Sequence, residues 1–181
     1  MSSPLSHAFV PAALVCLLAA LPASAQQARL KLDHLNALAA KASEVVEVTL
    51  DGQALAMGAK FLEKEPEARA LVQGLTGIYV KVFEFEQPGA YTPADVEAIR
   101  SQLQAPGWSR IVQVKSRKDG DVGVYVLSDG KGGNAGMAIF VAEAKELVVV
   151  NIVGPIDLEK LSSLEGRMGI PKVGLGKGGA K

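Results

Sequence analysis

Cysteine is almost absent from this sequence: the one residue of that type, Cys16, sits in the apolar stretch "VPAALVCLLAALPA". That stretch contains no charged residue, and "ASA" followed by "QQ" closes it, which is the pattern of a secretory signal peptide with expected cleavage after Ala25. It is too short and too interrupted by proline for a membrane span, which needs about 20 apolar residues. Cys16 follows "ALV" rather than the small residue of a lipoprotein cleavage site, so a lipid anchor is disfavoured. Beyond Ala25 the chain has no thiol, which excludes disulfides, thiolate nucleophiles and thiolate metal sites. Histidine is nearly as scarce, with His34 alone after residue 25. An excess of either charge is also lacking, since Lys+Arg and Asp+Glu both count 19. Nucleic-acid binding rests on surplus cations meeting phosphates and is not expected. The expected product is a periplasmic or secreted protein with a single α+β domain over residues 26–170 and a flexible tail over 171–181.

The remaining sequence is well patterned. In "KLDHLNALAAKA", Leu32, Leu35, Leu38 and Ala39 lie along one side of a predicted helix. "EVVEVTLD" alternates, with Val46, Val48 and Leu50 on one face and Glu47, Thr49 and Asp51 on the other, as a half-buried strand does. Two short helices follow, one with Leu55, Ala59 and Leu62 at helical spacing, the next with Pro66 near its start. "GIYVKVFEFE" has apolar residues on both faces and reads as an interior strand. In "YTPADVEAIRSQL", Thr92 is the predicted N-cap, Pro93 the first helical residue and Asp95 the capping-box carboxylate, with Val96, Ile99 and Leu103 buried. Four consecutive strands are then predicted in "WSRIVQVKSR", "DVGVYVLS", "GMAIFVAEA" and "ELVVVNIV", with Asp119 and Gly120 turning the first into the second. A last helix is predicted from near Asp157, with Leu158, Leu161 and Leu164 inward. The order implies an α+β fold: a mixed, mainly antiparallel sheet of about six strands, with helices packed on one face. The two early crossings leave a parallel pair possible.

Chemistry-bearing patterns are thin. Gly130-Lys131-Gly132-Gly133-Asn134-Ala135 satisfies the G-x-G-x-x-G/A dinucleotide pattern. A dinucleotide loop opens a helix whose N-terminus takes the pyrophosphate, whereas a strand is predicted after this one, so a hairpin loop is the reading. A Ser-His-Asp arrangement could use no base but His34, which beside Asp33 and the Leu32/Leu35 stripe suits a partly exposed structural residue, and no serine stands in a G-x-S-x-G elbow. "KDGD" and "EFE" lack the spacing of a calcium loop, so no cofactor or metal is expected. Glu84 and Glu86 share a strand face as paired acid/base carboxylates would, although no second carboxylate is fixed opposite them. Lys115 and Arg117 in "VKSRK" offer a basic edge to an anionic partner, or an ordinary charged edge that discourages sheet pairing. Trp108 is either a binding aromatic or a lid on the core.

The segments "VTLDGQALAMGAKFL", "APGWSRIV" and "VVNIVGPIDL" resemble the bacterial domain-of-unknown-function family 4252, and the resemblance spans about residues 31 to 170. It implies an exported envelope protein with no assigned activity or catalytic residues. Through the family's association with extracytoplasmic-function sigma factors and their anti-sigma partners, it also implies envelope signalling or a stress response. Some relatives look like lipoproteins, from which this chain departs at Cys16. The residues themselves favour a non-enzymatic interaction module that binds an envelope protein or peptide through a sheet face or edge, with Trp108, Lys115 and Arg117 as contact candidates. The alternative is a small-molecule binder or carboxylate-using hydrolase with a pocket between sheet and helices and Glu84 and Glu86 at its mouth.

Overall fold

The computed structural model describes residues 27–116 and 120–158. The expected signal segment, Arg117, Asp119 and the tail lie outside the described residues, as does the predicted last helix beyond Leu158. Among the described residues no helix is long and apolar enough to cross a membrane.

A 3-10 helix, η1 (Asp33–Ala40), leads into β1 (Glu44–Asp51). Helices α1 (Gly52–Phe61) and α2 (Pro66–Gly74) connect it to β2 (Gly77–Glu84), and α3 (Pro93–Gln102) follows. Strands β3 (Trp108–Ser116), β4 (Gly120–Ser128), β5 (Asn134–Glu143) and β6 (Glu146–Val153) then run as a meander. One six-stranded sheet results, in the order β1-β2-β6-β5-β4-β3. The α+β architecture and the interior place of β2 agree with the sequence pattern.

Two details depart from it. Among the described residues every strand pair is antiparallel, β1–β2 included, where Asp51 lies opposite Gly77. The α1–α2 hairpin therefore leaves and re-enters the sheet at the same end, which makes the returning strand antiparallel. Nor are the helices confined to one face. With alternate residues of β2 and β6 apolar on both sides, each face needs its own cover.

On the first face, η1 and α3 close the main core. Leu32, Leu35 and Leu38 meet Val96, Ile99 and Leu103 above Phe83, Phe140, Leu147 and Val149 of the sheet. The helix predicted at residues 31–42 forms as 3-10 because these leucines recur every third residue, the repeat of a 3-10 turn. Ala39, one position off that repeat, is exposed. Asp95 accepts from the Thr92 backbone N–H at 2.7 Å and its hydroxyl at 2.8 Å, which anchors the start of α3.

On the second face, Leu55 of α1 and Val72 of α2, together with Leu75 and Ile156, pack over Ile78, Val124, Met137 and Ile152. These helices reach only the end of the sheet at which β2 begins.

A buried asparagine joins the chain preceding η1 to the sheet. Asn151 of β6 is wholly buried. Its Oδ1 accepts from the Leu30 N–H at 2.9 Å, and its Nδ2 donates to the carbonyls of Ala28 (2.9 Å) and Met137 (3.2 Å). Gly136 leaves room for this segment, since a Cβ there would stand 2.8 Å from that of Ala28.

Candidate interaction surface

The cross-strand register assembles a surface out of residues far apart in the chain. Val46 of β1 faces Val82 of β2, which faces Val148 of β6; Val148 faces Val141 of β5, which faces Val122 of β4, which faces Val114 of β3. Every strand thus contributes one valine to a single row on the second face. The adjoining row is equally apolar: Val48, Val80, Val150, Ile139, Val124 and Val112. Towards β2's first residues α1 and α2 cover the apolar side chains, but at the opposite end the six-valine row stays partly open. Its outer members Val46 and Val114 are 40% and 49% exposed, and the four between them are half-buried. An apolar patch crossing a whole sheet is unusual on a lone domain surface.

A line of carboxylates borders the valines. Glu44 pairs with Glu84, Glu84 with Glu146, and Glu146 with Glu143. Strand alternation places all four on the valine side. Burial first, and then the charges of Glu143 and Glu84, hold the Glu146 carboxyl above its ordinary pKa. Like charges directly opposite destabilise a sheet, so this row is a local cost that a cationic neighbour would offset. The four stand in file at strand spacing, and among the described residues no group of three or more acidic or histidine side chains is arranged to hold a metal ion.

The residues singled out from sequence fall in different places. Lys115 is exposed on β3, an edge strand, as the edge reading requires. Its neighbour in that reading, Arg117, lies outside the described residues. The edge is irregular, with a register shift between Arg110 and Val112 of the kind that interrupts strand addition. Trp108 is half-buried and packs against core clusters, the lid arrangement rather than a free aromatic. Phe83 and Phe85 are buried in the main core. Glu84 belongs to the row of glutamates, while Glu86 follows the strand and is exposed.

His34 is exposed, with Nε2 3.2 Å from the Asp95 carbonyl, where a ring N–H donates and ties η1 to α3. Asp121, from "KDGD", forms an ion pair with Arg100 on the opposite face from the valines.

The glycine-rich stretch is the β4–β5 hairpin loop, with Gly130 and Gly132 at positive φ. Asp129 Oδ1 accepts from the backbone N–H groups of Lys131 (2.7 Å) and Gly133 (2.8 Å). Those bonds, Lys131's first, hold the Asp129 carboxyl below the usual carboxylate range. A side-chain carboxylate thus occupies the donors that a phosphate would need, and a strand follows instead of a helix.

Two of the grooves lie beside η1 and α3 on the first face. One of about 420 Å³ runs between η1 and the β1–β2 edge and contains Arg29, Asn36, Glu47, Tyr79 and Lys81. Lys81 is held there by Glu47 and, at 2.8 Å, by Asn36 Oδ1, and Arg29 lies over the Tyr79 ring. The other, about 380 Å³, lies between α3 and the loop before it, beside Arg100 and Asp121. Neither is lined by Glu84 or Glu86, so the pocket imagined behind those carboxylates is not formed by these grooves.

Residues 39–164 match the family described as "Domain of unknown function (DUF4252)". The chain belongs to this family. No curated protein and no solved structure matches it. The family's matched region takes in all six strands and the four glutamates, and it runs on past Leu158.

Proposed function

We propose that this DUF4252 protein is an exported, non-enzymatic interaction module of the bacterial envelope, and that its docking surface is the valine face with its glutamate border. The observation that carries this reading is the six-valine row, one residue from every strand, left partly open beside a line of like charges. Both features disfavour the isolated surface, and both are relieved by a partner that is apolar along one stripe and basic along its flank. A role in envelope signalling or stress follows from the family's setting and would make the partner another envelope protein. Export rests on the apolar, charge-free segment ending at Ala25.

Position-specific photocrosslinking in the cell tests the proposal. A crosslinker at Val46 or Val114 should capture a discrete species that one at Thr49, on the opposite face, does not. Equal capture from both faces, or none from the valines, would overturn it. Fractionation of the tagged chain tests the export.

The 420 Å³ groove favours a second reading, a small polar ligand held near Arg29 and Lys81. A ligand bound there raises the melting temperature of the purified protein, and substitution of Lys81 abolishes that rise.

A further inference from the structure

The two cations of the groove between η1 and the β1–β2 edge differ in how they are held. Lys81 is bound by Glu47 and, at 2.8 Å, by Asn36 Oδ1. Arg29 is exposed, with its guanidinium 4.3 Å from the centre of the Tyr79 ring, and among the described residues no carboxylate pairs with it. A guanidinium seated over an aromatic ring is fixed in place while its fork of N–H groups stays open to a planar anion. Strand register orders the rest of the floor: Thr49 lies opposite Tyr79, Glu47 opposite Lys81 and Val45 opposite Phe83. Because η1 ends just before β1 begins, Asp33 stands toward the Arg29 end of the groove and Ala39 toward Val45, which is 37% exposed. The distance along β1 from Thr49 to Val45 is about 13 Å. The groove thus has an unpaired guanidinium at one end, hydrogen-bonding side chains along its middle and apolar ones at the other.

We propose that this groove binds the free carboxyl terminus of a short peptide. The carboxylate meets Arg29 and the Thr49 hydroxyl, the backbone amides lie beside Asp33 and Asn36, and an apolar side chain rests by Val45 and Ala39. An extended chain advances about 3.3–3.6 Å per residue, so about four residues fill the groove. A fatty acid of equal length is the poorer match, since its methylenes would cover the Lys81–Glu47 pair and offer it no hydrogen bond. This rests on the second reading, of the groove as a ligand site, and names the ligand. It also accords with the effect expected of substituting Lys81, which would leave the Glu47 charge uncompensated beside an anionic ligand. A ligand this small adds only its own mass to a crosslinker at Thr49, so that position remains the control for the valine face.

The probes are acetylated tetrapeptides with Val or Leu first and a free carboxyl last, their carboxyl-terminal amides, and acetate, each added to the mature chain. At about ten times its Kd, a free acid should raise the melting temperature by about 3–6 °C and shift the amide resonances of Thr49 and Tyr79. Amidation should weaken binding roughly tenfold or more, through loss of a charge-assisted hydrogen bond. Arg29→Gln should do the same, and Arg29→Lys should recover part of the loss. Lys60→Gln, at an exposed position of α1 across the sheet, should change nothing. Acids and amides bound alike, or binding indifferent to Arg29, would overturn the proposal. Acetate bound as tightly as the tetrapeptides would overturn it too, by making the ligand a free small acid. If an uncharged polar ligand raises the melting temperature through Lys81 and no free acid does, this inference fails and the groove reading stands. If no ligand shifts Thr49 and Tyr79, both fail.

Discussion

Asn151 offers the sharpest test of how the fold is held. It is the one wholly buried polar side chain of β6, and it satisfies three backbone groups, two of them in the segment before η1. Replacing it with alanine leaves the Leu30 N–H and the Ala28 carbonyl without these partners in a site sealed by Gly136 and Met137. A buried polar group stripped of its hydrogen bond costs about 1–3 kcal/mol, and the vacated side-chain volume adds to that. The expected loss is therefore about 3–5 kcal/mol, a large share of a stability of about 5–15 kcal/mol. Thermal unfolding of a domain this size shifts by about 2–4 °C per kcal/mol, so Asn151→Ala should melt about 6–20 °C below the parent. The Leu30 amide should lose its protection against hydrogen exchange at the same time, well before the amides of β5 and β6. A melting point within about 2 °C of the parent, with Leu30 still protected, would show that the segment is held without Asn151, by leucine packing and the Gln102–Lys31 hydrogen bonds, and the account built on Asn151 would be refuted.

Other consequences are open to measurement. Glu146 has its folded pKa raised, so the native state holds the proton more tightly than the unfolded chain; stability is then greater below the usual glutamate range and declines as pH rises through the raised value. Glu146→Gln should flatten that decline in denaturant titrations across pH and raise stability at neutrality, whereas an unchanged pH slope would count against crowding of the glutamate row. For Asp129, whose pKa is lowered, the sign reverses: its contribution is present above the ordinary carboxylate range and lost as pH falls through its folded value. Asp129→Ala should therefore speed hydrogen exchange at Lys131 and Gly133 at neutral pH, and added nucleotide should protect those amides in neither the parent nor the variant. Phe140→Ala, in the centre of the main core, should cost about 3–5 kcal/mol by denaturant unfolding. Gly136→Val should be strongly destabilising by the same assay, since even a Cβ at that position meets Ala28 at 2.8 Å.

Much of the fold is legible in the linear pattern because its signals are local. Thr92-Pro93 and Asp95 mark the start of α3, alternation marks β1, and apolar residues on both sides of "GIYVKVFE" mark β2 as interior; the structure bears out each. Where two local signals compete, the finer spacing decides. Leu32, Leu35 and Leu38 with Ala39 satisfy a helical stripe, but only the three leucines are buried, and a repeat of three selects the 3-10 form. The parallel pair and the single covered face were open or expected for the same reason: connection length and order say that a chain crosses a sheet, not at which end it returns. Asp51 opposite Gly77 settles that, and no local motif encodes it.

The candidate site lies beyond the reach of local signals altogether. In the sequence, Glu84 stands beside Glu86, and the pair invites a catalytic reading; in the sheet, its neighbours are Glu44 and Glu146, distant by chain and adjacent by register. The same holds for the valines, which read strand by strand as ordinary half-buried alternation and become a continuous row only once the six strands are ordered. A domain needs apolar residues on both faces of its interior strands, and helices α1 and α2 account for those at one end of the second face. They do not account for Val46 and Val114, on the outermost strands, where polar side chains would ordinarily discourage association. Placing valine at both edges, and glutamate in the next row, costs solubility and stability in the isolated domain unless something apolar and basic lies across them. A partner that is apolar along one stripe and basic along its flank would offset both costs at once, which is why the sheet face, and not a groove, carries the reading as an interaction module.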